Sequence, residues 1–245
     1  MTQVSLTRLQ MFYGDLDATA LLRRMIQQEF KGQIALISSF GADAALLLAL
    51  VAEVDRHTPV LFLQTHKHFP ETLVYAKQLT EQLGLTHVKW LEPDKDIAAH
   101  IDPDGTLWST QPNRCCWLRK VEPLNRAVEE LGLTALITGR KRYQTQERAN
   151  MNTIELDDKG IFRINPLALW SKERQTEETQ KRNLPEHPLV AKGYPSIGCA
   201  PCTKPVAAGE DERAGRWAHT IGIEDEQKTE CGIHLTSDEV SDWSV

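Results

Sequence analysis

The N-terminal half of the chain repeats one hydrophobic pattern, in which a short continuous apolar run alternates with a longer segment of helical spacing. Apolar residues three and four apart predict a helix over residues 17–30, with Asp17 as its cap. The apolar run 33–39 predicts a buried strand, and residues 44–54 predict an apolar helix. The same order returns as a strand at 60–64, a helix at 70–83 that ends at Gly84, and a strand at 86–91.

A further helix over residues 113–131 and a strand over 134–138 extend this alternation. Strands separated by helices of this length imply right-handed crossovers, so we expect an α/β fold whose parallel sheet carries helices on both faces. Binding sites in such sheets lie at the carboxyl ends of the strands. The segments 38–41 and 139–140 each follow a predicted strand, and we expect them to meet at one site.

The regular pattern ends after about residue 165, where prolines are frequent and periodicity is weak. This stretch predicts a meandering segment packed against the sheet. Residues 224–245 are acidic and polar, which is typical of a mobile terminus. We therefore divide the chain into one α/β domain, residues 1–223, and a mobile C-terminal segment, residues 224–245, which contains Cys231.

Composition narrows the class of protein. The 245 residues include 34 acidic and 28 basic side chains, and the net charge of −6 argues against a general nucleic-acid-binding surface. The longest apolar run, residues 44–52, is too short to cross a bilayer, and the polar N-terminus has no apolar signal core. We expect a cytoplasmic protein without membrane contact, in which five cysteines indicate metal or redox chemistry instead of disulfides.

Four of the cysteines form two close pairs, the adjacent Cys115 and Cys116 and the C-x-x-C of Cys199 and Cys202. Four thiolates can hold zinc or a 4Fe–4S cluster, and a C-x-x-C alone is also typical of dithiol redox sites. Neighbouring residues of a helix point about 100° apart, which suits four separate irons better than one tetrahedral zinc ion. The pattern favours the cluster, and its alternative without chemistry is a set of small buried apolar residues.

The fifth cysteine, Cys231, stands alone in a polar sequence between Lys228 and His234. These cationic neighbours would favour a thiolate, whereas the adjacent Glu230 would oppose it. The sequence around Cys231 is consistent both with a nucleophile and with an inert surface thiol.

Three groups of residues are suited to binding an anion. They are Ser38, Ser39 and Gly41, the run from Gly139 through Arg140 and Arg142 to Arg148, and the pair Arg213 and Arg216. The first group precedes a helix N-terminus, where free N–H groups and the helix dipole favour a phosphate. No Gly-Lys-Ser/Thr sequence follows it, so it is not a Walker A loop. The competing interpretations are an ordinary turn for the first group and solvated charged loops for the arginines.

Together these residues resemble the assimilatory adenylyl-sulfate reductases, within the larger family of phosphoadenylyl-sulfate and adenylyl-sulfate reductases. The resemblance runs from about Ile34 to His234. It is carried by Ser-Ser-Phe-Gly-Ala-Asp at 38–43, Phe-Pro-Glu-Thr at 69–72, Cys-Cys-Trp-Leu-Arg-Lys at 115–120, the arginine-rich loop from 139, Gly-Cys-Ala-Pro-Cys-Thr at 198–203, and Glu-Cys-Gly-Ile-His at 230–234.

The resemblance implies an adenine-nucleotide alpha-hydrolase-like fold and the thioredoxin-dependent reduction of adenosine 5′-phosphosulfate to sulfite and AMP in sulfate assimilation. It implies that Cys231 is the nucleophile and forms an S-sulfo intermediate. It also implies one 4Fe–4S cluster per chain, held by Cys115, Cys116, Cys199 and Cys202. The family positions around the phosphosulfate match Lys120, Arg213, Arg216 and His234, which join Ser38, Ser39, Gly41, Gly139, Arg140 and Arg142 as the expected substrate-binding set.

Two departures from the family pattern concern the nucleotide. Leu-Gln-Thr-His at 63–66 replaces the usual Leu-Asp-Thr-Gly, which removes two residues that could contact the nucleotide at that turn. Ala44 stands where a related pyrophosphatase loop has serine, which weighs against ATP hydrolysis. The alternatives are a reductase that prefers the 3′-phosphorylated nucleotide, an ATP-dependent tRNA thiolase of the same fold, and an iron–sulfur nucleotide sensor. The oligomeric state, including a homo-oligomer, and the identity of the reductant stay open.

Overall fold

The structure, a computed structural model, describes residues 5–220, 228 and 230–235. Six strands form one sheet at its centre. They are β1 Ile34–Ser38, β2 Val60–Leu63, β3 Val88–Leu91, β4 Ala135–Ile137, β5 Ile154–Leu156 and β6 Phe162–Ile164. Their order is β3-β2-β1-β4-β6-β5, and every neighbouring pair is parallel except β5 with β6.

This topology confirms the predicted α/β class, with a mostly parallel sheet. The four predicted strands are present as β1 to β4, each slightly shorter than its apolar run. The antiparallel hairpin of β5 and β6 was not predicted, because three-residue strands leave too few positions for a recognisable alternation.

Eight α-helices accompany the sheet within the described residues. They are α1 Leu6–Tyr13, α2 Ala18–Arg24, α3 Ala44–Val54, α4 Pro70–Leu83, α5 Lys95–Ile101, α6 Pro112–Cys116, α7 Glu122–Glu130 and α8 Lys172–Lys181. Helix α4 has the predicted bounds and ends at Gly84, whose φ of 62° is the left-handed conformation that favours glycine. The predicted helix over 113–131 is instead divided into α6 and α7 by the π-helical turn Trp117–Val121.

The hydrophobic residues of β1 alternate between the two faces of the sheet. Ile34 and Leu36 join the larger core, which also contains the apolar face of α3, whereas Ala35 and Ile37 join a second core that includes Leu124 of α7. All five residues of β1 are therefore buried, as expected for a central parallel strand with both faces covered.

The described part of the C-terminal segment, residues 230–235, packs on the body of the protein. Ile233 contacts the core on the α7 face of the sheet, and the 3-10 turn Gly232–His234 lies against the π-helical turn after α6. The predicted domain boundary at residues 223 and 224 lies outside the described residues. Among the helices of the described chain, none has both the length and the apolar character needed to cross a membrane.

Candidate active site

A pocket of about 690 Å³ opens at the carboxyl ends of β1 and β4, and we call it the main pocket. Its volume lies within the range typical of small-molecule sites. Nine of the ten predicted substrate-binding residues and Cys231 line it. They are Ser38, Ser39, Gly41, Lys120, Gly139, Arg140, Arg213, Arg216, His234 and Cys231.

The loop after β1 forms one wall of the main pocket. Phe40 is fully buried with φ of 47°, and its backbone N–H donates to Ser38 Oγ at 3.1 Å. Gly41 lies close to the chain that precedes the C-x-x-C, since a Cβ at this position would come 3.2 Å from the carbonyl oxygen of Ile197. A larger residue would therefore push the two segments apart.

Helix α3 begins at this wall. Its N-cap residue, Asp43, makes no side-chain capping bond and instead accepts from Lys141 Nζ at 3.0 Å and Gln144 Nε2 at 3.4 Å. The helix N-terminus consequently faces the pocket without a carboxylate cap, which favours a bound anion.

The loop after β4 forms the facing wall. Arg140 Nη2 donates to Glu155 Oε2 at 3.0 Å, and Arg140 Nε donates to Thr138 Oγ1 at 3.3 Å, so the guanidinium is fixed at the pocket edge. Arg142 is the one predicted substrate-binding residue that does not line the pocket. Its Nε donates to the carbonyl oxygen of Met151 at 2.7 Å, which directs the side chain away from the site.

Cys231 is partly exposed to the main pocket. Burial opposes ionisation of its thiol, but Lys120, the backbone N–H of Ile233, Lys228 and Arg216 together hold the pKa of Cys231 below its ordinary value. A thiolate is the reactive form of cysteine, and a cationic setting of this kind is typical of nucleophilic cysteines.

Arg216 and Arg213 both line the main pocket and both lie over the ring of Trp217. The Arg216 guanidinium lies 4.3 Å from the centre of the Trp217 ring, and that of Arg213 lies 5.6 Å from it. A Cβ at Gly198 would come 2.5 Å from Arg216 Nη2, so a larger residue there would displace this guanidinium. The indole and the glycine therefore restrict where the Arg216 charge can lie.

His234 is neutral in this setting. Burial, followed by the charges of Arg140, Arg148, Arg163 and Arg213, holds its pKa well below the usual range. A neutral imidazole among these arginines can accept a hydrogen bond or donate one, but it adds no positive charge of its own.

The other four cysteines surround a second, much smaller cavity of about 10 Å³, which we call the cysteine cavity. Cys115 and Cys116 reach it from the end of α6, where the π-helical turn begins, and Cys199 and Cys202 reach it from the opposite side. All four are buried. Its remaining lining residues are Lys67, Trp108, Pro112, Arg119, Lys120 and Pro201, so the lining contains three cations and no carboxylate.

The thiols of the cysteine cavity differ electrostatically from Cys231. Burial, reinforced by neighbouring cysteines, raises the pKa of Cys115 to about 12 and that of Cys202 to about 12. Thiols with so high a pKa become thiolates at neutral pH only when a strongly positive group binds them. The all-sulfur donor set and the cationic lining fit an iron–sulfur cluster or zinc.

Within the part of the chain that the structure describes, no three Cys, His, Asp or Glu side chains are placed to hold a single metal ion. A 4Fe–4S cluster does not require several side chains around one metal ion, because each thiolate binds its own iron. The all-sulfur donor set of the cysteine cavity is therefore compatible with such a cluster.

Sequence reasoning missed several pocket residues. Lys141 is 1% exposed and pairs with Asp43, although the sequence around it looks like a solvated basic loop. Arg148 was noted only as the end of that loop, yet it forms an ion pair with Glu230 across 82 residues. A pairing between residues so far apart in the sequence cannot be predicted from a local pattern. The acidic character of Glu230, directly before Cys231, is the one feature of the sequence that points to it.

Comparisons with known proteins identify the family of the chain. A family model described as the phosphoadenosine phosphosulfate reductase domain matches residues 33–205. The chain is 47% identical to the adenosine 5′-phosphosulfate reductase of Mesorhizobium japonicum, over 95% of this chain and 88% of that protein. It is 35% identical to the phosphoadenosine 5′-phosphosulfate reductase of Gloeobacter violaceus, over 95% of this chain and 94% of that one.

Solved structures show the same likeness. The phosphoadenylyl-sulfate reductase of Candida auris superposes with a TM-score of 0.69 at 25% identity, covering 83% of this chain and 98% of that chain. The FMN adenylyltransferase of Candida glabrata, at 13% identity, shares the fold with a TM-score of 0.57, covering 97% of this chain and 86% of that chain. The second comparison concerns the fold alone.

Proposed function

The chain belongs to the phosphoadenosine phosphosulfate reductase family, and on that premise we propose that it reduces adenosine 5′-phosphosulfate to sulfite and AMP with thioredoxin as reductant. The observation that carries the proposal is the position of Cys231. A thiol whose pKa is held low faces a nucleotide-sized pocket in which Lys120, Arg213 and Arg216 supply positive charge.

The main pocket suits the two parts of this substrate. Leu36, Leu47 and Leu48 give its lining an apolar component that can take an adenine ring. The phosphosulfate carries negative charge on both of its groups, and the cations around Cys231 are the matching partners. We therefore place the sulfonyl end of the substrate beside Cys231.

The first half-reaction is a displacement at sulfur. Cys231 Sγ attacks the sulfonyl sulfur, an S–S bond forms, and the S–O bond to the phosphate breaks. The oxygen leaves with the electron pair as part of AMP, and the developing charge on the phosphate is stabilised by Lys120, Arg213 and Arg216. Cys231 is left as an S-sulfocysteine.

The second half-reaction needs an external dithiol, because the other four cysteines of the chain are assigned to the cluster. One thiolate of the dithiol attacks Cys231 Sγ, and sulfite leaves with the electrons of the broken S–S bond. The second thiol then attacks its partner sulfur, which releases the Cys231 thiolate and a disulfide. The dithiol loses two electrons and the sulfonyl group gains them, so thioredoxin is a suitable reductant.

The proposed cofactor is one 4Fe–4S cluster per chain, with Cys115, Cys116, Cys199 and Cys202 as its ligands. Bound there, it supplies fixed charge and structural support beside Lys120 and carries no electrons, because thiol displacement moves them in pairs. Lys120 lines both cavities, and the thiolates of Cys199, Cys231 and Cys116 raise its pKa well above the usual value despite its burial. It is the residue through which the two sites interact.

The preference for the nucleotide without a 3′-phosphate rests on the four cluster cysteines and on the relatives at 47% identity. A preference for the 3′-phosphorylated form is the second candidate, and the Gloeobacter violaceus relative favours it. Sulfite release by the purified protein with thioredoxin, measured once with each nucleotide, tests both. Higher kcat/KM with adenosine 5′-phosphosulfate is the expected result; a clear excess with the other nucleotide would reverse the assignment, and no sulfite from either would refute the proposal.

A further inference from the structure

Glu230, the residue before Cys231, is bound to the protein body by a buried ion pair. Arg148 Nε donates to Glu230 Oε1 at 2.5 Å and Arg148 Nη2 donates to Oε2 at 2.7 Å. Arg148 is 8% exposed and Glu230 is 9% exposed. A two-point contact between guanidinium and carboxylate fixes orientation as well as distance.

The arginine of this pair is itself held in place. Its Nη1 donates to Gln144 Oε1 at 2.5 Å, and the backbone N–H of Lys141 donates to the same oxygen at 3.1 Å. Both residues belong to the loop that leaves β4, so the position of Glu230 is set by the edge of the sheet.

A second contact holds the other side of the segment. Lys228 Nζ donates to Asn113 Oδ1 of α6, and Ile233 packs into the core on the α7 face of the sheet. Cys231 is therefore held between attachments to the loop after β4 and to the helix that carries Cys115 and Cys116. Buried ion pairs contribute little to net stability but can specify one arrangement over others.

We infer that Glu230 is a positioning residue for the first half-reaction, in which its pair with Arg148 holds Cys231 Sγ against the sulfonyl group. This inference rests on the proposed function. In the second half-reaction the attacking thiol belongs to a protein, and a protein is too large to enter a pocket of about 690 Å³. The pair has no positioning task in that step.

Glu230→Gln tests the inference, because it keeps the shape of the side chain and removes its charge. The first half-reaction is followed as AMP release after rapid mixing with adenosine 5′-phosphosulfate and no reductant. The second is followed as sulfite release when the isolated S-sulfo protein is mixed with thioredoxin. We expect the first rate to fall about 10- to 100-fold, since small errors in position are costly, while the second stays nearly unchanged.

Two further variants separate positioning from loss of stability. Glu29→Gln removes the carboxylate of another partly buried arginine pair, Arg8–Glu29, which is remote from the main pocket. It should leave both half-reactions at the wild-type rate. Glu230→Asp keeps the negative charge on a side chain that is shorter by one methylene group, and it should recover part of the rate of the first half-reaction. If Glu230→Gln folds poorly, Glu230→Asp still allows the test.

Three results would overturn the positioning role: an unchanged first rate in Glu230→Gln, equal slowing of both half-reactions, or the same slowing in Glu29→Gln. A wild-type protein that releases no AMP would instead refute the proposed function, and the positioning role with it. The same measurements of AMP and sulfite release therefore distinguish failure of the positioning role from failure of the proposed function.

Discussion

The pKa of a cysteine thiol is shifted in opposite directions in the main pocket and in the cysteine cavity. In the cysteine cavity, burial and neighbouring sulfurs raise the pKa of Cys115 and Cys202 to about 12, and each of the four thiols is at most 8% exposed. In the main pocket, Cys231 is partly exposed and its pKa is lowered. Lys120 and Cys199 line both, so a nearby cation alone does not separate the two cases. Burial, followed by neighbouring sulfurs, raises the pKa of Cys115 and Cys202.

The surroundings of Cys231 explain why its pKa shifts in the direction opposite to that of Cys115 and Cys202. Lys120, Lys228 and Arg216 outweigh the burial of Cys231, whereas burial and neighbouring cysteines outweigh the cations near Cys115 and Cys202. Deprotonation of Cys115 and Cys202 would need a bound positive group, which the proposed cluster would supply.

The largest predicted effect distinguishes the two kinds of sulfur directly. Cys231→Ser should lower kcat by at least about 10,000-fold, as expected when a covalent nucleophile is lost, and should keep the iron and sulfide content of the wild type. Cys202→Ser should instead lose iron and sulfide. Metal analysis and turnover of the two purified variants check this; loss of iron in Cys231→Ser would contradict the division.

The second effect concerns the shared cation. Lys120→Gln removes the positive charge nearest to both sites, and we expect kcat/KM to fall about 100- to 1000-fold, the usual cost of losing a group that stabilises developing charge. Lys192→Gln, which removes a surface lysine paired with Glu71, is the matched control and should keep wild-type kinetics. Equal kinetics in the two variants would mean that Lys120 does not connect the regions.

Trp217 gives a smaller effect at the boundary between the regions. It packs against Cys199 and Cys202 and also restricts Arg216. Trp217→Leu removes a cation–π contact of about 1 kcal/mol, so KM should rise about 5-fold with a smaller change in kcat. Trp217→Phe keeps an aromatic face, so its KM should lie between that of the wild type and that of Trp217→Leu. A higher KM in Trp217→Phe than in Trp217→Leu would argue against the cation–π contact.

The smallest effect lies in the scaffold that supports the C-x-x-C. His187, in the chain segment that leads to Cys199, accepts from the Leu189 backbone N–H at Nδ1, so its neutral ring donates from Nε2 to Thr72 Oγ1 at 3.0 Å. Burial lowers the pKa of His187 from 6.5 to about 4. Below pH 6.5 the unfolded chain therefore binds a proton that the folded chain resists, and stability falls as the pH decreases towards 4.

This loss should amount to about 2 kcal/mol between pH 7 and pH 4.5, because a shift of one pKa unit corresponds to about 1.4 kcal/mol and this interval covers most of the shift. Urea unfolding of the wild type and of His187→Gln between pH 7 and pH 4.5 measures it as the difference between the two proteins. Parallel stability curves across this interval would show that His187 contributes nothing to the acid response.

The sequence was sufficient where the signal is local. The apolar run of β1, the proline start and glycine end of α4, and the two cysteine pairs all depend on neighbouring residues, and the structure places them as predicted. Helix α8 was missed because the sequence Lys-Glu-Arg-Gln-Thr-Glu-Glu-Thr-Gln-Lys has no apolar stripe to recognise.

The remaining features depend on long-range contacts. The π-helical turn Trp117–Val121 interrupts a helix of unbroken helical pattern directly after the cysteine pair, and such turns are frequent at functional sites. The turn of Arg142 towards Met151 and the pairing of Arg148 with Glu230 are set by the packing of the loop after β4. Residue type and spacing alone do not encode these choices.

The account is tested most directly by mapping every cysteine by mass spectrometry after adenosine 5′-phosphosulfate is added to the purified protein without reductant. We predict a sulfonate on Cys231 alone, with Cys115, Cys116, Cys199 and Cys202 unmodified and iron and sulfide retained in the same sample. A sulfonate on any of those four residues, or sulfite formed on later addition of thioredoxin although Cys231 never carried the group, would contradict the assignment of Cys231 as the nucleophile.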